Sequence, residues 1–176
     1  QGEITAKEGR AIGIHIALAP VMDINNNPDN PIINFRAYSD DSNSVSKFGI
    51  EFIKGCQNNN MYACIKHFPG HGNTNTDSHS NLPVISGSRE SLETLELKPF
   101  KAAIDAGVKM VMVGHIAMPG LDSSNKPASH SYKICTTLLR EEWGFEGILI
   151  TDALEMKGIS KYTWAGESAV RAVEAG

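Results

Sequence analysis

Between Lys66 and His79 the sequence reads KHFPGHGNTNTDSH, which sets a lysine, three histidines and an aspartate among turn-forming residues. Three chemistries use such residues: a metal site, a phosphate cradle, and the proton-transfer apparatus of a hydrolase. His67 and His71, at i and i+4, would share one face of a helix as zinc ligands do. Pro69, Gly70 and Gly72 work against a helix there, however, and no third ligand can be assigned to join them. Gly70-His71-Gly72 lacks the glycine spacing and the Lys-Ser/Thr ending of a phosphate-binding loop. Asp77 and His79, at i and i+2, suit the third chemistry: within a local turn the carboxylate can orient the imidazole and fix its tautomer. The same spacing is equally compatible with a solvated loop carrying incidental charges.

A second carboxylate, Asp152, ends the apolar run Ile148-Leu149-Ile150-Thr151. A carboxylate there is costly to desolvate without a partner and can serve as a nucleophile or base, or it can cap the turn that follows.

Positioning these groups requires strands and helices in alternation. Short apolar runs over 15–20, 61–65, 110–114 and 147–151 read as strands covered on both faces. Helical periodicity falls between and around them, over 4–13, 44–59, 91–106, 133–143 and 163–175. The helix over 91–106 has Ser91 as a capping residue, Gly107 as its stop, and Leu92, Leu95, Phe100, Ala103 and Ile104 largely on one face. Alternating strands and helices predict βα units around a parallel sheet. Each predicted strand is followed by polar groups: Asp23, Lys66 with His67, His115, and Asp152. In parallel α/β folds the C-terminal strand ends face the active site, so these groups should converge on one mouth and an enzyme is the leading class.

Composition narrows the alternatives. A net charge of −4 without a Lys/Arg-rich run gives no electrostatic reason to expect nucleic acid as a partner. No apolar run approaches the ~18 residues of a membrane span. Cys56, Cys64 and Cys135 form no CxxC pair and read as small core residues. At 176 residues the chain is one domain by length but short of the ~250 residues of a full (β/α)8 barrel. It opens on Gln1 and carries no signal peptide, so it reads as starting inside a longer protein.

The combined motifs resemble family 3 glycoside hydrolases, in the β-N-acetylglucosaminidase branch. The resemblance rests on Lys66-His67-Phe68-Pro69-Gly70-His71-Gly72 with Asp77-Ser78-His79 and Leu82-Pro83, and on three further stretches in matching order. These are Leu18-Ala19-Pro20-Val21-Met22-Asp23 with Asn30-Pro31-Ile32-Ile33 and Arg36; Glu96-Leu97-Lys98-Pro99-Phe100; and Leu138-Leu139-Arg140-Glu141 through Gly144-Phe145-Glu146-Gly147 to Thr151-Asp152-Ala153-Leu154. Asn73 departs from the aspartate often found there in relatives.

The resemblance implies an α/β fold, a partial (β/α)8 TIM-type barrel of about four βα units truncated at both ends, with residues 1–176 forming one segment of the catalytic domain. It implies release of terminal β-linked N-acetylglucosamine from cell-wall-derived or chitin-derived glycans, with retention of configuration and without metal or cofactor. Asp152 would be the nucleophile, His79 the acid/base and Asp77 its orienting partner, while Arg36, Lys66 and His67 would bind the sugar. His71, flanked by glycines, would shape the loop, and the loop carrying His79 would be mobile. Two alternatives stay open: a glycoside phosphorylase of the same fold, since a histidine in place of a carboxylate would not repel phosphate, and an inactive or carbohydrate-binding segment. Exposed sheet edges would allow self-association. Bacterial cytoplasm and export to the periplasm or beyond are both compatible with the sequence.

Overall fold

The computed structural model describes residues 1–161 and 163–176. Four strands form one parallel sheet in the order β1-β2-β3-β4: β1 Ile16–Ala17, β2 Tyr62–Phe68, β3 Met110–Val113 and β4 Ile148–Thr151. Helices connect them: α1 Gly2–Ala11 before β1, α2 Ser42–Gln57 before β2, and α3 Arg89–Thr94 with α4 Lys98–Asp105 before β3. A π-helix, Lys133–Glu142, precedes β4, and α5 Lys157–Ser160 and α6 Ala165–Ala175 follow it. Sequential parallel order with a helical crossover between each pair of strands is the expected arc of βα units.

The differences from the sequence reading have local causes. β1 is shorter than expected because the regular ladder lapses after Ala17: the Ala19 and Pro20 carbonyls still accept from the Cys64 and Lys66 amides at 3.0 and 3.1 Å, but Pro20 has no N–H to return. Pairing resumes beyond it, at the bridge Val21 to Lys66, where the Met22 amide donates to the Lys66 carbonyl at 2.6 Å. β2 runs further than expected, so Lys66 and His67 lie within the strand, at a register irregularity between Ile65 and Phe68. α2 starts earlier because Asp41, not a later residue, caps it, accepting from the Ser44 amide at 2.8 Å.

The single helix expected over 91–106 is two helices. Ser88, not Ser91, caps the first, and Leu95 then leaves helical geometry (φ −122°, ψ −83°). Pro99, in the first turn of α4, cannot donate to the Leu95 carbonyl, so one continuous helix through this point is excluded.

Strand alternation sorts residues onto two layers. One face of the sheet joins the helices in the main core, with Ala63, Ile65, Val111 and Val113 packed among residues such as Phe52, Ile53, Phe100 and Leu139. The other face holds a small apolar cluster of Cys64, Met110 and Met112, with Ile150 against it. Lys66 and Asp152 follow Cys64 and Ile150 by two positions. The pleat therefore puts both on this second face, above a floor of thiol, thioether and aliphatic groups.

Candidate active site

The fully buried Asp23 organises the C-terminal end of β2. Its carboxylate accepts from the His67 ring Nδ1 at 2.7 Å, from the His67 amide at 3.1 Å and from the His71 amide at 2.7 Å. Burial alone would raise its pKa, but the neighbouring His67 and then His71 hold it below the ordinary aspartate value. His67 Nε2 faces the Arg36 guanidinium at 3.4 Å. Arginine only donates, so this arrangement suits a His67 ring whose proton is on Nδ1 and pointed at Asp23. Asp23 thus orients His67, a role that no local spacing revealed: the two are 44 positions apart.

Lys66, half-buried on the other side of the strand, sits between opposing fields. Desolvation and the Arg36 charge push its pKa below the usual lysine range, while Asp152 opposes the shift. Asp152 stands at the end of β4, partly buried, its Oδ1 accepting from the Ala153 amide at 2.8 Å and its own amide donating to the Val113 carbonyl at 2.9 Å. Arg36 closes a short 3-10 turn, Asn34–Arg36, and is exposed. Arg36, Lys66, His67 and Asp152 are therefore brought to one end of the sheet, joined by the Arg36–His67 contact and by the charges acting on Lys66.

Asp77 and His79 form a second group. The Asp77 Oδ1 accepts from the His79 amide at 2.7 Å and pairs with its ring Nδ1 at 2.9 Å, which leaves Nε2 directed elsewhere. The His79 side chain is 61% exposed. No hydrogen bond links this pair to Asp152 among the described residues.

The loop that carries the pair is anchored at both flanks, although its composition suggests mobility. Asn30, 1% exposed, clamps the start: its amide nitrogen donates to the carbonyls of His71 and Gly72 at 2.8 and 2.7 Å, and its oxygen accepts from the amides of Ile32 and Ile33. A Cβ on Gly72 would lie 1.7 Å from the Ile24 carbonyl oxygen, so only glycine fits this approach. His71 is buried, its pKa held below the usual histidine value chiefly by desolvation, and its Nε2 meets Ser78 Oγ at 2.9 Å. At the far flank the Ser78 carbonyl accepts from the Gly158 amide at 3.0 Å, and Lys161 reaches Asn81 Oδ1 at 2.7 Å. His71 therefore shapes the loop, while His67 faces Asp23 and Arg36. Among the described residues no group of three His, Cys, Asp or Glu side chains is arranged to hold a metal ion, and no helix is long and apolar enough to cross a membrane.

The sequence profile described as the glycosyl hydrolase family 3 N-terminal domain matches residues 1–176. The chain belongs to glycosyl hydrolase family 3. It is 38% identical over 181 residues to the Beta-hexosaminidase A of Pseudoalteromonas piscicida, covering 97% of this chain and 30% of that protein. In three dimensions it matches a family 3 β-N-acetylglucosaminidase from a Paenibacillus strain with a TM-score of 0.98 at 46% identity, covering 99% of this chain and 33% of that one. A β-glucoside phosphorylase matches with a TM-score of 0.95 at 29% identity, over 99% and 33% of the two chains. This family 3 chain thus spans about a third of the length of these relatives.

Proposed function

We propose that the protein removes terminal β-linked N-acetylglucosamine by a two-step displacement that retains configuration. The reading is carried by the Asp77–His79 contact at 2.9 Å on a loop whose far flank is hydrogen-bonded to Gly158, in the segment that follows Asp152. In the first step a carboxylate oxygen of Asp152 forms a bond to the anomeric carbon as the glycosidic bond breaks. The His79 imidazolium gives its Nε2 proton to the leaving oxygen. In the second step the neutral imidazole takes a proton from water, the water oxygen bonds to the anomeric carbon, and the Asp152 carboxylate leaves.

Asp77 keeps His79 in one orientation through both steps, as a carboxylate does for other catalytic histidines. Arg36 and Lys66 offer donors to sugar hydroxyls beside Asp152, and His67 Nε2 offers an acceptor next to them, its ring held in one orientation by Asp23. The substrate class is argued from the relatives' names, Beta-hexosaminidase A and β-N-acetylglucosaminidase; cell-wall-derived and chitin-derived glycans both present such a terminal sugar.

The test is turnover of a chromogenic N-acetyl-β-glucosaminide by the protein and by two variants. Asp152→Ala should abolish the first step. His79→Ala should release an activated leaving group slowly and regain turnover with azide, which needs no base. Full activity of Asp152→Ala, or no azide rescue of His79→Ala, overturns the respective assignment.

Phosphorolysis is the second reading, favoured by the likeness to a β-glucoside phosphorylase. Phosphate would take the place of water in the second step, and the absence of a carboxylate in the acid/base role spares it like-charge repulsion. Formation of sugar 1-phosphate in phosphate buffer distinguishes the two.

A further inference from the structure

His115 has no task in the two-step reading. It follows β3, is 1% exposed, and both of its ring nitrogens are engaged: Nδ1 with Ser129 Oγ at 2.8 Å and Nε2 with the Ala153 carbonyl oxygen at 3.0 Å. A carbonyl oxygen only accepts, so Nε2 carries the proton, and Nδ1 in the neutral ring accepts from the Ser129 hydroxyl. Burial favours that neutral state, holding the pKa below the usual histidine range.

The partner of His115 is the residue next to the nucleophile. Ala153 is held from both sides: its carbonyl by His115, and its amide by Asp152 Oδ1 at 2.8 Å. Both peptide planes meet at the Ala153 Cα, so the orientation of the carbonyl constrains that of the amide and, through it, the carboxylate. Oδ1 of Asp152 is engaged in this way, which leaves Oδ2, without a hydrogen-bond partner among the described residues, as the nucleophilic atom.

We propose that His115 is a positioning residue for glycosyl transfer: by gripping the Ala153 carbonyl it sets the carboxylate of Asp152 with Oδ1 tied back and Oδ2 presented to the anomeric carbon. The proposal rests on Asp152 being the nucleophile. It differs from a merely structural histidine in what it predicts. A structural role lowers the melting temperature but leaves the chemistry of the folded fraction intact. A positioning role slows the glycosylation step while substrate affinity is kept, because a small misplacement of a reacting group costs up to about 100-fold in rate.

The experiment compares His115→Leu, which fills space without a donor, with His115→Gln, which retains one, using pre-steady-state nitrophenolate release from the N-acetylglucosaminide. The expected result is a glycosylation rate down about 100-fold in His115→Leu, with KM changed by less than about twofold and at least tenfold recovered in His115→Gln. An unchanged glycosylation rate in folded His115→Leu overturns the proposal, as does an equal loss in both variants. If His115→Leu does not fold, Ser129→Ala replaces it: freeing Nδ1 should slow glycosylation about tenfold at constant KM, and no change overturns the proposal. Asp152→Ala, run in parallel, separates the two levels. Its full activity would defeat the nucleophile reading itself, whereas an inactive Asp152→Ala beside a fully active His115→Leu would defeat only the role of His115.

Discussion

The carbonyl of Ser78 accepts a 3.0 Å hydrogen bond from the amide of Gly158. This contact ties the loop of the Asp77–His79 pair to the segment that leaves Asp152, so the proposed acid/base and the proposed nucleophile share one backbone connection. The close approach requires glycine: a Cβ at position 158 would lie 2.6 Å from the Ser78 oxygen and 3.1 Å from that of Asn81, both rigid backbone atoms. Gly158→Ala should therefore displace the loop while sparing the main core. We expect kcat to fall by about 10- to 100-fold with the far-ultraviolet dichroism retained. Unchanged turnover would mean that the tether has no part in placing His79.

Asp77 and His79 should act as one unit. With the imidazole held at Nδ1 by the carboxylate, Asp77→Ala should lower kcat by about 100-fold or more, and adding it to His79→Ala should cost little further. A double-mutant cycle measures this. Independent, additive losses would show that Asp77 does not work through His79.

Asp23→Ala should destabilise the fold by about 3–5 kcal/mol, because it leaves the buried His67 ring and two amides without their acceptor. The pH dependence has a definite sign. The folded-state pKa of Asp23 lies below its ordinary value of 3.8, so its stabilisation is fully present above that value and is lost as pH falls through the lowered folded pKa. Urea melts of parent and variant should differ most near neutrality and draw together in acid. A constant difference down to pH 2 would contradict the linkage.

The cysteines should be inert in the folded protein. Burial pushes Cys64 and Cys135 up to about 12 and raises Cys56 as well, and all three are buried. A thiol reagent at pH 8 should label them only after denaturant is added. Rapid labelling of the native protein would show that the face around Cys64 or the packing of the π-helix opens readily.

Much of this arrangement could be read from the chain because it is local. The apolar runs that became β2, β3 and β4 and the parallel βα order follow from short-range periodicity, while the i, i+2 spacing of Asp77 and His79 allowed their pairing and left an incidental surface loop equally open. Boundaries were less legible where two local signals competed, as at Pro20, just past the end of β1, and at Pro99, in the first turn of α4. The contacts made across the fold carried no signature in spacing. Asp23 grips His67, Asn30 clamps His71 and Gly72, Gly158 binds the Ser78 carbonyl, and His115 holds Ala153. Each joins residues that are distant in the chain, and residue types alone do not say which donor will meet which acceptor. Parallel strand pairing and helix packing bring these groups to the same end of the sheet, and burial then favours the pairs that satisfy one another, because an unmatched polar group there is costly.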